Sequence, residues 1–175
     1  MMGVKRLPSY RDYWSTNAQL NDSYIGSIMS VKRFSFLLLH LHLNDASKEP
    51  KRNEPQYNKL YKVAPHLNIL SETYTMFYNP NRDQSIDESM IKFKGRSSIK
   101  QYMPMKPIKR GYKVWVRADD YGYICEFQIY TGKTRNQSEN CLGDRVVKDL
   151  SHALVEKHYR IFFGNFFTTV DLMSS

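Results

Sequence analysis

Ser85-Ile86-Asp87-Glu88-Ser89-Met90-Ile91-Lys92-Phe93 and Tyr159-Arg160-Ile161-Phe162-Phe163-Gly164-Asn165 are the two stretches on which the fold turns. Each is short, apolar at intervals and flanked by polar residues, as a strand is. The first carries a carboxylate, Asp87, at its centre, where a charge needs a partner or a task. The second runs out on Gly164, which carries no side chain at all.

The sequence between them completes the pattern. Lys113 to Ala118 alternates, with Val114 and Val116 on one face and Trp115 and Arg117 on the other. Asp119-Asp120-Tyr121-Gly122 reads as a hairpin turn, and Tyr123 to Tyr130 as the next strand. Asp144 to His158 reads as a helix with Val147, Leu150, Leu154 and Val155 on one side and Asp144 near its positive end. The order strand, strand, strand, helix, strand predicts a ribonuclease H-like sheet. In that fold the first strand and the strand after the helix lie side by side and each presents a carboxylate.

Residues 1–80 read as helical. Ser9, Asp22 and Ser30 are placed to cap three helices, the first through Trp14, the second with Tyr24, Ile25 and Ile28. The third carries Val31, Phe34, Leu37, Leu38 and Leu41. His40 and His42 are two apart, so on a helix they face different ways and read as structural histidines. Asn44 to Gln56 is a loop with Pro50 and Pro55. Leu60, Val63, Leu67, Leu70, Tyr74 and Phe77 then form an apolar stripe, suited to a core or to a dimer seam, with Pro65 near the first turn or at a kink. Asn79-Pro80-Asn81 marks the expected boundary. The fold class is α+β: a helical region over 1–80, then part of a ribonuclease H-like domain over 81–175.

The charge is concentrated. Between Ser89 and Ala118 there is no acidic residue, while Lys92, Lys94, Arg96, Lys100, Lys106, Lys109, Arg110, Lys113 and Arg117 are all basic. Those nine equal the whole excess of 26 basic over 17 acidic residues in the 175. Such a block predicts a surface for a polyanion. Lys94, Arg96, Lys100, Lys106, Lys109, Arg110 and Lys113 are the candidate DNA contacts. Interleaved Tyr102, Tyr112 and Trp115 suit either base stacking or core packing. Pro104 and Pro107 stiffen the segment and lower the cost of ordering it. Cys125 and Cys141 stand apart, without metal-ligand spacing, and suit a reducing compartment. No apolar run approaches a membrane span. Thr131-Gly132-Lys133-Thr134 echoes the end of a phosphate-binding loop, but Phe127 stands where that motif requires glycine.

Ile86 to Arg96 closely resembles the first catalytic block of piggyBac-type transposases. Gln101-Tyr102-Met103-Pro104-Met105-Lys106-Pro107-Ile108-Lys109-Arg110-Gly111 is similar to the loop that follows it in that family, and Tyr130-Thr131-Gly132-Lys133 to a later segment. Met29-Ser30-Val31-Lys32-Arg33-Phe34 and Leu41-His42-Leu43-Asn44-Asp45 resemble its helical region, and Phe166-Phe167-Thr168-Thr169-Val170 its segment after the second acid. The resemblance runs through nearly the whole chain in family order.

That resemblance implies a helical dimerisation and DNA-binding region and a DDE domain in which three aspartates hold two Mg²⁺ ions. It implies DNA as partner, a homodimer and a nuclear location. Asp87 matches the first aspartate. Gly164 stands at the second, and the third falls beyond residue 175, as does the family's cysteine-rich zinc module. Asp171 lies several residues from the lost position and is no replacement. The expectation is a truncated, catalytically inactive, DNA-binding relative of a cut-and-paste transposase that does not hold Mg²⁺ stably. A repurposed DNA-binding or dimerisation module is the alternative.

Overall fold

The computed structural model describes residues 5–132 and 142–174. Lys133, Thr134 and Cys141, named above, lie outside the described residues. The chain divides into two compact units, Met1–Leu43 and Asn44–Ser175.

The smaller unit is built on the three expected caps. Ser9 closes a capping box with Asp12 over a short 3-10 helix, Tyr10–Trp14. Asp22 caps α1 (Ser23–Ile28) by accepting from the Ile25 amide, and Ser30 caps α2 (Val31–Leu39) by accepting from that of Arg33. Tyr13 and Ile25 are buried. Phe34 packs its ring against Tyr10 and Trp14 at 5.4 and 5.5 Å, while the Trp14 indole N–H donates to Met29 O at 2.9 Å. These contacts tie the first and last elements of the unit together. His40 ends α2, with its ring stacked on Phe36 and Nδ1 2.7 Å from Phe36 O. It serves structure, as its spacing from His42 suggests. Leu41 lies past the helix and is exposed.

The larger unit holds a five-stranded mixed sheet. Its strands are β1 (Asp83–Lys92), β2 (Gln101–Tyr102), β3 (Arg110–Asp119), β4 (Ile124–Ile129) and β5 (Arg160–Phe163). β3 runs antiparallel to β1, β2 and β4, and β5 lies parallel to β1. The adjacency of β1 and β5 is the one expected of the ribonuclease H-like order. The β3–β4 turn closes with Gly122 N–H on Asp119 O at 2.9 Å, Gly122 taking the left-handed φ of 79° that its lack of a Cβ permits.

Helices cover both faces of the sheet. On one, α4 (Leu142–Ser151) presses Val146, Val147 and Leu150 onto Ile86, Trp115 and Phe167. On the other, α3 (Ala64–Met76) packs on β4. Leu67, Leu70 and Tyr74 there face Val114, Val116, Phe127 and Ile129 across a narrow apolar cleft. These three stripe residues are half-buried there. Leu60 and Val63 precede the helix in turns and Phe77 is exposed. Pro65 sits in the first turn of α3, where its missing N–H costs nothing.

Three elements differ from expectation. α4 stops at Ser151 and passes through a 3-10 turn, His152–Leu154, before the chain reverses through Glu156 and His158 at φ 61° and 58°. Its last carbonyls are already taken: the Ser151 hydroxyl donates to Val147 O and the Arg117 guanidinium to Leu150 O. β2 is two residues long, too short to show alternation. α5 (Val170–Ser174), with Asp171 in its first turn and Thr169 Oγ1 accepting from the Leu172 amide, had no periodic signal. The boundary expected at residue 80 lies inside the larger unit, because α3 groups with the sheet it covers.

Candidate functional site

The parallel register of β1 and β5 sets the site. Ser85 pairs with Phe162 and Ile86 with Phe163, so the next step along both strands sets Asp87 beside Gly164. These are the two positions that the family resemblance matches to its first and second aspartates. A Cβ built on Gly164 meets no atom within 4 Å. Glycine is therefore not needed there for packing.

Asp87 is exposed, its side chain 71% accessible, and Oδ1 lies 3.8 Å from Lys106 Nζ. The carboxylate also accepts from the Glu88 amide at 2.7 Å. Glu88 points into the sheet interior. Its oxygens lie 3.3 Å from both Lys106 Nζ and Lys113 Nζ. Burial pushes the Glu88 carboxyl up, but its contact with Asp87 and the ammonium groups of Lys113 and Lys106 hold it below the ordinary carboxylate range. Lys113 is nearly enclosed, with its ammonium over the rings of Phe166, Trp115 and Tyr130 at 4.9, 5.2 and 5.9 Å.

A second depressed carboxyl lies at the far end of the sheet. Burial raises Asp119, but the Tyr78 hydroxyl and the amides of Tyr123 and Tyr121 more than offset it. The same contact pushes the Tyr78 hydroxyl up to about 12. Both acids bind protons more weakly folded than unfolded. Their contribution to stability is complete above the ordinary carboxylate range and is lost as pH falls below about 4. Urea unfolding should give a flat stability between pH 7 and 5 and a decline below it. Glu88→Gln should make that decline shallower; an unchanged profile would remove Glu88 from this account.

The basic run separates into two groups. Lys92, Lys94, Lys100, Lys109 and Arg110 line an open groove of about 600 Å³ with Phe93, Tyr102, Pro107 and Ile108, and none of its lining residues is acidic. Lys106 and Lys113 are drawn into Glu88, and Arg117 is buried. Arg96 is exposed but does not line the groove. Of the aromatics, Trp115 is core and Tyr112 stacks on Phe93 at 4.8 Å. Tyr102 is 61% exposed. Sequence reasoning missed Lys92 as a groove residue, although it opens the acid-free run.

A family model described as transposase IS4 matches residues 1–175. The chain belongs to the transposase IS4 family. Human PiggyBac transposable element-derived protein 3 is 33% identical over 99% of this chain and 29% of its own length. Human PiggyBac transposable element-derived protein 2 is 26% identical over the same shares. The solved piggyBac transposase synaptic complex with hairpin DNA superposes with a TM-score of 0.85 at 28% identity, over 99% of this chain and 36% of that one. This chain thus spans under a third of the curated relatives it matches, and the piggyBac resemblance and α+β fold read from the sequence both hold.

DDE transposases as a class depend on divalent metal. The residues present here do not fit a metal pair. One exposed carboxylate faces an ammonium 3.8 Å away, and the adjacent strand supplies a glycine. Among the described residues no three His, Cys, Asp or Glu side chains converge to hold an ion. No helix among them is long and apolar enough to cross a membrane.

Proposed function

We propose that this chain is a DNA-binding, non-cutting member of the piggyBac group, acting in the nucleus. Gly164 carries the reading. It stands where β5 should present an acid beside Asp87, and two-metal phosphodiester cleavage requires converging carboxylates to hold both ions. Loss of that ligand leaves the groove of Lys92, Lys94, Lys100, Lys109 and Arg110 untouched, because its cations lie on β1, β3 and the loops either side of β2. A DNA complex of the solved relative supports DNA as the partner, and the duplex is its first form to test.

Two measurements test this. Duplex binding should weaken with salt at a slope of log K against log concentration of roughly −4 to −5, as five phosphate contacts predict. Lys94→Gln and Lys109→Gln should each reduce that slope by about 1. Mg²⁺ should neither raise the melting temperature nor elicit nicking. Gly164→Asp, for which the backbone has open space, should melt as the parent does without metal and gain a Mg²⁺-dependent rise. Mg²⁺-dependent nicking by the parent chain would sink the non-cutting reading. A salt-independent or undetectable DNA affinity would sink the DNA-binding one.

A further inference from the structure

The groove differs from a plain cationic patch in having a rigid aromatic floor. Tyr102 is on β2, whose two residues pair with Gly111 and Arg110 of β3. The Arg110 guanidinium covers one ring face at 5.0 Å, which fixes the ring and adds charge to it. The residue is still 61% in solvent, so the guanidinium leaves much of the side chain exposed. Around it stand Lys92, Lys94, Lys100 and Lys109. Lys100 is restrained by donating to Gly95 O at 2.6 Å.

In a duplex the base faces are stacked on one another and only their edges reach the grooves. A ring face among phosphate-binding cations can be used only by a base that has left the stack. This is the arrangement by which proteins hold single strands: cations track the backbone and aromatic faces take the bases. The groove's volume is in the range that encloses a small-molecule-sized ligand, so a few unpaired nucleotides can enter it where a helix only lies across its rim.

We propose that this groove binds unpaired DNA, with one base stacked on Tyr102 opposite Arg110. The inference rests on the DNA-binding reading and narrows it to a form of DNA. No hydrogen bond to a base edge is involved, so recognition is tolerant of sequence.

Fluorescence anisotropy with a labelled 12-nucleotide single strand and the matching duplex, at two salt concentrations, tests it on the full chain. The parent should prefer the single strand. Tyr102→Leu should weaken single-strand binding roughly 5- to 150-fold, the usual worth of one stacked base. It should leave duplex binding within about twofold and the salt slope unchanged. Tyr102→Phe keeps the ring face and should bind like the parent, which separates stacking from a folding defect. If both DNA forms bind equally to the parent, or Tyr102→Leu weakens both alike, this inference fails while DNA binding stands. If neither form binds, both readings fail.

Discussion

Arg117→Met is expected to cost the fold about 3–5 kcal/mol, seen as a lower urea midpoint with an unchanged slope. Arg117 is 2% exposed toward the C-terminal end of β3. Its guanidinium donates to Gln84 Oε1, Glu126 Oε2 and the carbonyl of Leu150. Leu150 is in the last turn of α4, so the cation meets the negative end of the helix and satisfies a carbonyl with no partner within the helix. One side chain therefore joins β1, β3, β4 and α4. Methionine fills much of the space but leaves the Gln84 and Leu150 oxygens buried without donors, and each such orphan costs about 1–3 kcal/mol. Glu126, at 28% side-chain exposure, can turn to water and adds less. Adding Gln84→Leu removes one orphan and should recover part of the loss. A double variant no more stable than Arg117→Met alone would show that Gln84 is not coupled to the arginine.

Arg117 also shows where reading the sequence stops. Alternation placed it with Trp115 on one face of β3, and that face is the one α4 covers. Counted only as a charge, it belonged to the basic run. The charge run was legible as a run, but how it divided was not. Lys106 and Lys113 sit in the same sequence block as Lys109 and Arg110, yet Glu88, 18 and 25 residues earlier, captures both, Lys113 through the β1–β3 register and Lys106 from the loop that leads into β3. Pairing of that kind is decided by strand register, which a local window does not contain. The caps at Ser9, Asp22 and Ser30 were legible because each is a local hydrogen bond. The β1–β5 adjacency was legible because few topologies suit that order of elements. β2 was not, since two residues cannot display a period, and with it went the platform under Tyr102. The early end of α4 was hidden for another reason. Leu154 and Val155 continue its apolar pattern, but the chain must turn back to lay β5 beside β1.

Two glycine-to-alanine changes, one in the sheet and one just past β5, should differ sharply. Gly111 is the second residue of β3 and lies between Lys92 of β1 and Gln101 of β2. A Cβ there would lie 2.0 Å from the Ile91 carbonyl oxygen and 2.8 Å from its carbon. Both are backbone atoms, so no side-chain rotation relieves the clash and the strands must part. Gly111→Ala should cost about 3 kcal/mol, the upper part of the usual overpacking range. The loss should concentrate at the end of the sheet that carries the groove, where Phe93 N–H reaches Arg110 O at 3.4 Å and Met103 N–H reaches Lys109 O at 2.8 Å. Amide exchange at Phe93 and Met103 should accelerate more than at Ile86, deep in the core. Single-strand binding should fall with it, because parting β3 from β1 and β2 moves Arg110 away from Tyr102. Gly164→Ala, with no atom within 4 Å of its Cβ, should leave the melting temperature within about a degree, as a surface change away from such contacts does. Equal melting temperatures for the two variants would mean that β1 and β3 yield freely at Gly111, and a groove on so yielding a floor would not hold a base in place.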